Sequence, residues 1–205
     1  MASSIDFPKP LVLVRLIVGL YLFGLGIAFQ IRAVLGLAPW DVFGQGLSNI
    51  TGLSFGLATV LASAIILLLW IPLKQKPGLG TVFNALLIGP FVDLSLRFVP
   101  SAVDWGIVGQ IGWYVLGMAI IALGTGIYIG ARLGPGPRDG LMTGSVKKFG
   151  KPVWIVRTVL EGGATLIGIA LGGPVGLGTL LFVVGIGPMV QVSMRAFGLV
   201  DKGGK

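Results

Sequence analysis

The sequence predicts an all-α polytopic membrane protein. Six transmembrane helices form two inverted three-helix repeats, each with a short helix that is either re-entrant or interfacial. Three observations lead there. The residues are 55% hydrophobic and only 11% charged, the composition of a chain that lives in lipid. Six apolar segments, at about 11–35, 54–73, 80–97, 107–131, 153–171 and 176–195, approach the roughly 20 residues needed to cross a hydrocarbon core about 30 Å thick. Residues 11–97 also align with residues 109–195 without a gap, and about a quarter of the paired residues are identical. Gly26 meets Gly124, Gly36 meets Gly134, Pro39 meets Pro137, Asp41 meets Asp139 and Arg97 meets Arg195. Each copy carries three spans, an odd number, so the second copy enters the membrane from the opposite side, a common plan in transporters. Residues 1–205 thus form a single membrane domain, with repeat 1 at 11–97 and repeat 2 at 109–195.

The first element follows a short polar start, Met1 to Pro10. Its apolar run exceeds a signal-peptide core and is followed by no convincing small-residue cleavage site, so it is expected to remain as the first transmembrane helix. Gln30, Asn84 and Gln110 are uncharged polar residues suited to hydrogen bonds between helices. Arg32 is read as a headgroup anchor or as part of an outer vestibule.

The segment after the first helix occurs twice, as Gly36 to Gly52 and as Gly134 to Gly150, and both copies contain Pro-x-Asp. Aspartate is a favoured N-cap, so Asp41 and Asp139 are expected to cap short helices, which Gly52 and Gly150 end. About nine helical residues would span about half the hydrocarbon core. That length permits a re-entrant arrangement in which Pro39-Trp40-Asp41 and Pro137-Arg138-Asp139 approach each other from opposite sides. Irregular backbone at that depth is tolerated only where it is protein-buried or lines a cavity, so these six residues are the candidate substrate site. A surface loop with an interfacial helix is the competing account.

Gly78-Leu79-Gly80-Thr81 and its repeat at 176–179 are read as tight turns with Thr81 and Thr179 near helix starts. The third and sixth helices contain Pro90 and Pro188, which should kink them, either as the paired interruptions that accompany transporter sites or for packing alone. Asp93 lies near the outer end of the third helix, one turn before Arg97, its expected partner, and is read as a structural or snorkelling residue. In the fifth helix Glu161 sits near the middle of the span, where an ionisable residue defaults to a functional role. It is the candidate coupling residue, with Arg157 four residues earlier on the same face. A structural ion pair competes, and the repeat offers only Thr59 and Ser63 at the corresponding positions.

The chain has no histidine and no cysteine. Imidazole catalysis, thiolate chemistry and the usual zinc ligands are therefore excluded. No catalytic set or metal-ligand set is visible, and neither an enzyme nor a cofactor is expected. The net charge is +8, but of 15 basic residues only Arg32 and Arg97 fall in outer segments once the N-terminus is placed inside. This positive-inside bias predicts both termini in the cytoplasm and contact with anionic lipid rather than nucleic acid. Gly126, Gly130 and Gly134, and Ala164, Gly168 and Gly172, form small-residue stripes that suit packing within the bundle or a homodimer seam. The P-loop pattern is absent.

The expected function is a small transporter or channel-like permease for an unidentified small solute, with a site between the repeats. The alternatives are a substrate-capture subunit docked on a partner transporter, or a non-transporting accessory or assembly protein. The two halves also resemble the YczE/YyaS/YitT-type bacterial membrane proteins. The resemblance is carried by Pro39-Trp40-Asp41, Thr51-Gly52, Gly78 to Thr81, Gly136-Pro137-Arg138-Asp139-Gly140-Leu141-Met142 and Arg157-Thr158-Val159-Leu160-Glu161. It implies a multi-pass protein of the bacterial cytoplasmic (inner) membrane and supplies no substrate or functional residue to carry over.

Overall fold

A computed structural model describes residues 9–151 and 153–199. Both termini, expected in the cytoplasm, lie outside the described residues. Among these described residues, eight α-helices and one 3₁₀ turn follow in order: α1 (Pro10–Ala33), α2 (Pro39–Thr51), α3 (Phe55–Leu68), α4 (Leu79–Ser95), the turn Val103–Trp105, α5 (Gly106–Ile129), α6 (Pro137–Phe149), α7 (Val153–Ala170) and α8 (Leu177–Ala196). Among the described residues there is no strand. α1, α8 and the stretch Val103–Ile129 are long and apolar enough to cross a membrane. α2 and α3, bent by 112° at their junction, would add a fourth span if the bent pair is counted as one.

The sequence repeat reappears in the helix boundaries. α2 and α6 are both 13 residues long, and Pro39 and Pro137 open them at equivalent positions. α4 and α8 likewise begin at the paired residues Leu79 and Leu177. The short helices exceed the nine residues expected and reach about 20 Å. The expected N-caps are corrected: Ala38 and Gly136 cap these helices, and Asp41 and Asp139 sit in the first turn with no capping bond of their own. Proline fixes φ near its helical value and its missing N–H costs nothing at the first helical position, so each helix starts at the proline. Gly52 and Gly150 end the helices in the left-handed conformation. The second apolar run is also shorter than expected, because α3 stops at Leu68 and residues 69–74 turn around Pro72.

α1 and α5 form the centre. A Cβ on Gly19 would lie 2.9 Å from the Gly124 carbonyl oxygen, and one on Gly26 would lie 2.5 Å from that of Gly117. Gly19 pairs with Gly117, and Gly26 with Gly124, in the sequence repeat. The two equivalent helices therefore cross antiparallel through four glycines. Lipid offers no hydrophobic drive between helices, so this close backbone approach supplies the dispersion contact that holds them together. Leu16, Leu20, Ile27, Tyr114, Met118 and Ile121 fill the core around it.

The halves also exchange loops. Gly178 N–H donates to the Leu35 carbonyl at 2.6 Å, and Gly80 N–H to the Leu133 carbonyl at 2.7 Å. Thr179 Oγ1 donates to the Leu37 carbonyl at 2.7 Å, and Thr81 Oγ1 to the Pro135 carbonyl at 2.7 Å. Each loop before a short helix thus docks on the start of the last long helix of the other half. Gly36 and Gly134, at φ 96° and 117°, supply the left-handed turns that let the loops reach there. Ion-pair and capping details depart from the simplest sequence reading. Asp93 bonds Ser54 Oγ at 2.5 Å and Gly56 N–H at 2.9 Å, rather than Arg97, and so ties α4 to the start of α3. Arg32 donates to the Leu96 carbonyl, at the end of α4.

The two halves differ in how their outer helices meet. α3 packs along α4, with the backbones of Gly56 and Gly89 in closest apposition. Their counterparts in the repeat are Trp154 and Gly187, and a Cβ on Gly187 would meet nothing within 4 Å. Among the described residues α7 and α8 barely touch.

Candidate functional site

The starts of the two short helices meet. Arg138, in the first turn of α6, donates from Nη2 to Oδ1 of Asp41, in the first turn of α2, at 2.8 Å. Its guanidinium also lies over the Trp40 ring, 5.8 Å from the centroid. Asp41 is 2% exposed, a depth at which a carboxylate needs a cation partner. The α2 helix dipole adds to its stabilisation. On the other side Asp139 accepts from the Tyr128 hydroxyl at 3.0 Å. Trp70 Nε1 donates to the Pro137 carbonyl at 3.0 Å and pins the start of α6.

Beside this junction lies a cavity of about 320 Å³. It sits in the gap between α7 and α8 and is closed behind by α1, α3, α4 and α5. Its lining mixes polar residues, Thr59, Ser63, Asn84, Thr125 and Tyr128, with apolar ones, Phe23, Ile88, Ile121, Phe182, Ile186 and Val190. Of the residues singled out in the sequence, Trp40, Pro137, Arg138, Asp139, Arg157 and Glu161 line it. Pro39 and Asp41 lie behind Arg138 and are buried. Arg157 Nε donates to Glu161 Oε1 at 2.8 Å, so the i,i+4 ion pair forms and faces the cavity.

Sequence reasoning missed Thr59, Ser63, Thr125 and Tyr128 as site residues. Thr59 and Ser63 are the repeat counterparts of Arg157 and Glu161, so repeat position was the available signal. Asn84, read as a bond between helices, lines the cavity instead. Gln30, the counterpart of Tyr128, is fully buried and neither of its amide atoms has a hydrogen-bond partner among the described residues. It borders a smaller pocket of about 130 Å³ beside Gly36 and Leu37.

A model of a protein family matches residues 11–195, and its description is "Family of unknown function (DUF6198)". The chain belongs to the DUF6198 family. It is 36% identical to an "Uncharacterized protein" of Haemophilus influenzae over 176 residues, which cover 86% of this chain and 80% of that protein. It is 32% identical over 178 residues to the Bacillus subtilis "Uncharacterized membrane protein YczE", covering 86% and 82%. It is 31% identical over 180 residues to "Uncharacterized protein YyaS" of the same organism, covering 86% and 89%. No solved structure matches. With its apolar helices and its YczE relative, this DUF6198 member is a membrane protein.

Proposed function

We propose that the protein is a small secondary permease that carries a small solute through a site between two inverted halves. In this reading α1, α3, α4, α5, α7 and α8 cross the membrane, and α2 and α6 are re-entrant half-helices. Both termini are cytoplasmic, following the distribution of basic residues. The observation that carries the reading is the Arg138–Asp41 contact between the two half-helix starts, at the wall of a cavity lined from both halves. The antiparallel α1–α5 crossing and the reciprocal loop docking support inversion, because a two-fold axis that exchanges antiparallel spanning helices lies in the membrane plane.

The unequal halves support alternating access. With the N-terminus inside, the cavity occupies the cytoplasmic side, where α7 and α8 are apart. The outer side is shut by α3 on α4 and by α2 on α7, where Gly168 packs against the backbone of Val42 and Phe43. The molecule is then inward-facing. Opening outward would break the Asp93 contacts and bring α7 against α8.

The chain lacks cysteine, so a single Ser63→Cys reports cavity access cleanly. Membrane-impermeant maleimide should label it from the cytoplasmic face in inside-out vesicles and also from the outer face in right-side-out vesicles. Labelling from one face alone would contradict alternating access and leave a fixed crypt, as in a capture subunit or accessory protein.

A further inference from the structure

The charges on the cavity wall do not cancel. Arg138 is taken by Asp41, and Arg157 by Glu161, each at 2.8 Å. Among the described residues the one side chain hydrogen-bonded to Asp139 is neutral, the Tyr128 hydroxyl; Arg157 and Arg138 act on it through space but are held by their own carboxylates, and Asp139 is exposed to the cavity it lines. With Asp139 ionised, the groups at the site carry one negative charge in excess. An uncompensated carboxylate within the membrane is costly and calls for a counter-charge.

The wall around Asp139 is aromatic. Tyr128 packs edge-on against Phe23 at 6.3 Å between centroids, and Phe182 completes the lining from α8. Aromatic faces attract cations through their quadrupoles, most strongly where water is excluded. Trp40 already holds a cation in this way, the Arg138 guanidinium. A neutral solute would leave the Asp139 charge unanswered, and an anion would add a second like charge. The free edges of the two guanidiniums favour an anion, but each is already neutralised by its own carboxylate.

We propose, on the permease reading above, that the solute is a small protonated organic amine, with its ammonium on Asp139 and its apolar body between Phe23, Phe182 and Ile186. A cavity of about 320 Å³ lies at the small end of the roughly 300–1,000 Å³ usual for ligand sites, so the amine carries one ring or a short chain rather than a fused polycycle.

The test compares three probes of similar size on the purified full-length protein in detergent, at one ionic strength. They are phenethylamine as the cation, 2-phenylethanol as the neutral probe and 3-phenylpropanoate as the anion, with binding read by calorimetry and by tryptophan fluorescence. The amine should bind about tenfold or more tighter than either of the others. Asp139→Asn should remove that preference and Asp139→Glu should retain part of it. Tighter binding of the acid, binding by none of the three, or an Asp139→Asn variant that still prefers the amine would overturn the proposal. If Asp139→Asn fails to fold by thermal melting, the ranking of the three probes on the unaltered protein decides alone. The Ser63→Cys labelling needs no ligand, so the permease reading and the amine assignment fail separately.

Discussion

Breaking the contact between the two short helices gives the sharpest energetic test. Asp41 has a side chain 3% exposed and Arg138 one 29% exposed, so the two partners are not equally placed. Arg138→Gln leaves a buried carboxylate without its cation, a change that costs about 3–5 kcal/mol when a buried pair is broken from one side. Asp41→Asn leaves a guanidinium that still stacks on Trp40 and reaches the cavity, so its cost should be smaller, about 1–2 kcal/mol. The double variant has no orphaned charge. It should be more stable than the sum of the singles by about 1–3 kcal/mol, the range for directly coupled residues. At about 2–4 °C per kcal/mol for a chain of this size, Arg138→Gln should lower the melting temperature by about 6–20 °C, and Asp41→Asn in the Arg138→Gln background should recover part of it. The assay is a double-mutant cycle by thermal melting of the four purified proteins in one detergent. Additive losses, or a smaller loss for Arg138→Gln than for Asp41→Asn, would refute the claim that the two Pro-x-Asp helix starts meet as a buried ion pair.

Four other outcomes follow from the same geometry. Thr81→Val and Thr179→Val each delete a hydroxyl that bonds the opposite half's loop, and each should cost about 1–2 kcal/mol in melting experiments, with similar values for the two sites because the contacts are equivalent. Glu161→Gln keeps the shape and removes the charge of an exposed i,i+4 pair, so its effect on stability should stay below about 1 kcal/mol; a larger loss would mark the pair as structural, and a change in cavity labelling or uptake without one would mark it as functional. Gly117→Val places a branched side chain in the α1–α5 crossing and should cost about 1–3 kcal/mol or more through overpacking, whereas Gly187→Ala, in open space, should be nearly neutral. Asp93→Ala frees the Ser54 hydroxyl and the Gly56 amide at the start of α3, costs about 1 kcal/mol as a lost cap, and should raise labelling of Ser63→Cys from the outer face.

Much of the fold was legible because the repeat marks it twice. Proline, glycine and threonine recur at matched positions and set helix starts and ends, and the apolar runs give the long helices. The N-caps were misread because both Pro and Asp are start signals, and proline at the first helical position starts the helix three residues earlier than an aspartate N-cap would. The candidate loops were found because Pro-x-Asp recurs at matched positions before a helix about half a membrane long, but that Arg138 would reach Asp41 depends on how the halves cross. Thr59 and Ser63 looked like evidence against a role for Arg157 and Glu161, since the repeat does not preserve them. In the folded chain all four line one cavity. The asymmetry was hidden for a different reason. Val42 packs on Gly168 while their counterparts Gly140 and Trp70 reverse the sizes, and such an exchange of large and small residues becomes visible only when the contacts between the halves are known. The bond from Asp93 to Ser54 and Gly56 spans two helices, whereas local spacing points only to Arg97.

The most direct test of alternating access is to lock the closed side. Ser54 and Asp93 touch across the start of α3 and the C-terminal half of α4, so Ser54→Cys with Asp93→Cys should form a disulfide under mild oxidation. With Ser63→Cys as reporter, the locked protein should be labelled from the cytoplasmic face alone, and reduction of the disulfide should restore labelling from the outer face. Labelling from the outer face that persists while the α3–α4 disulfide is intact would contradict the account.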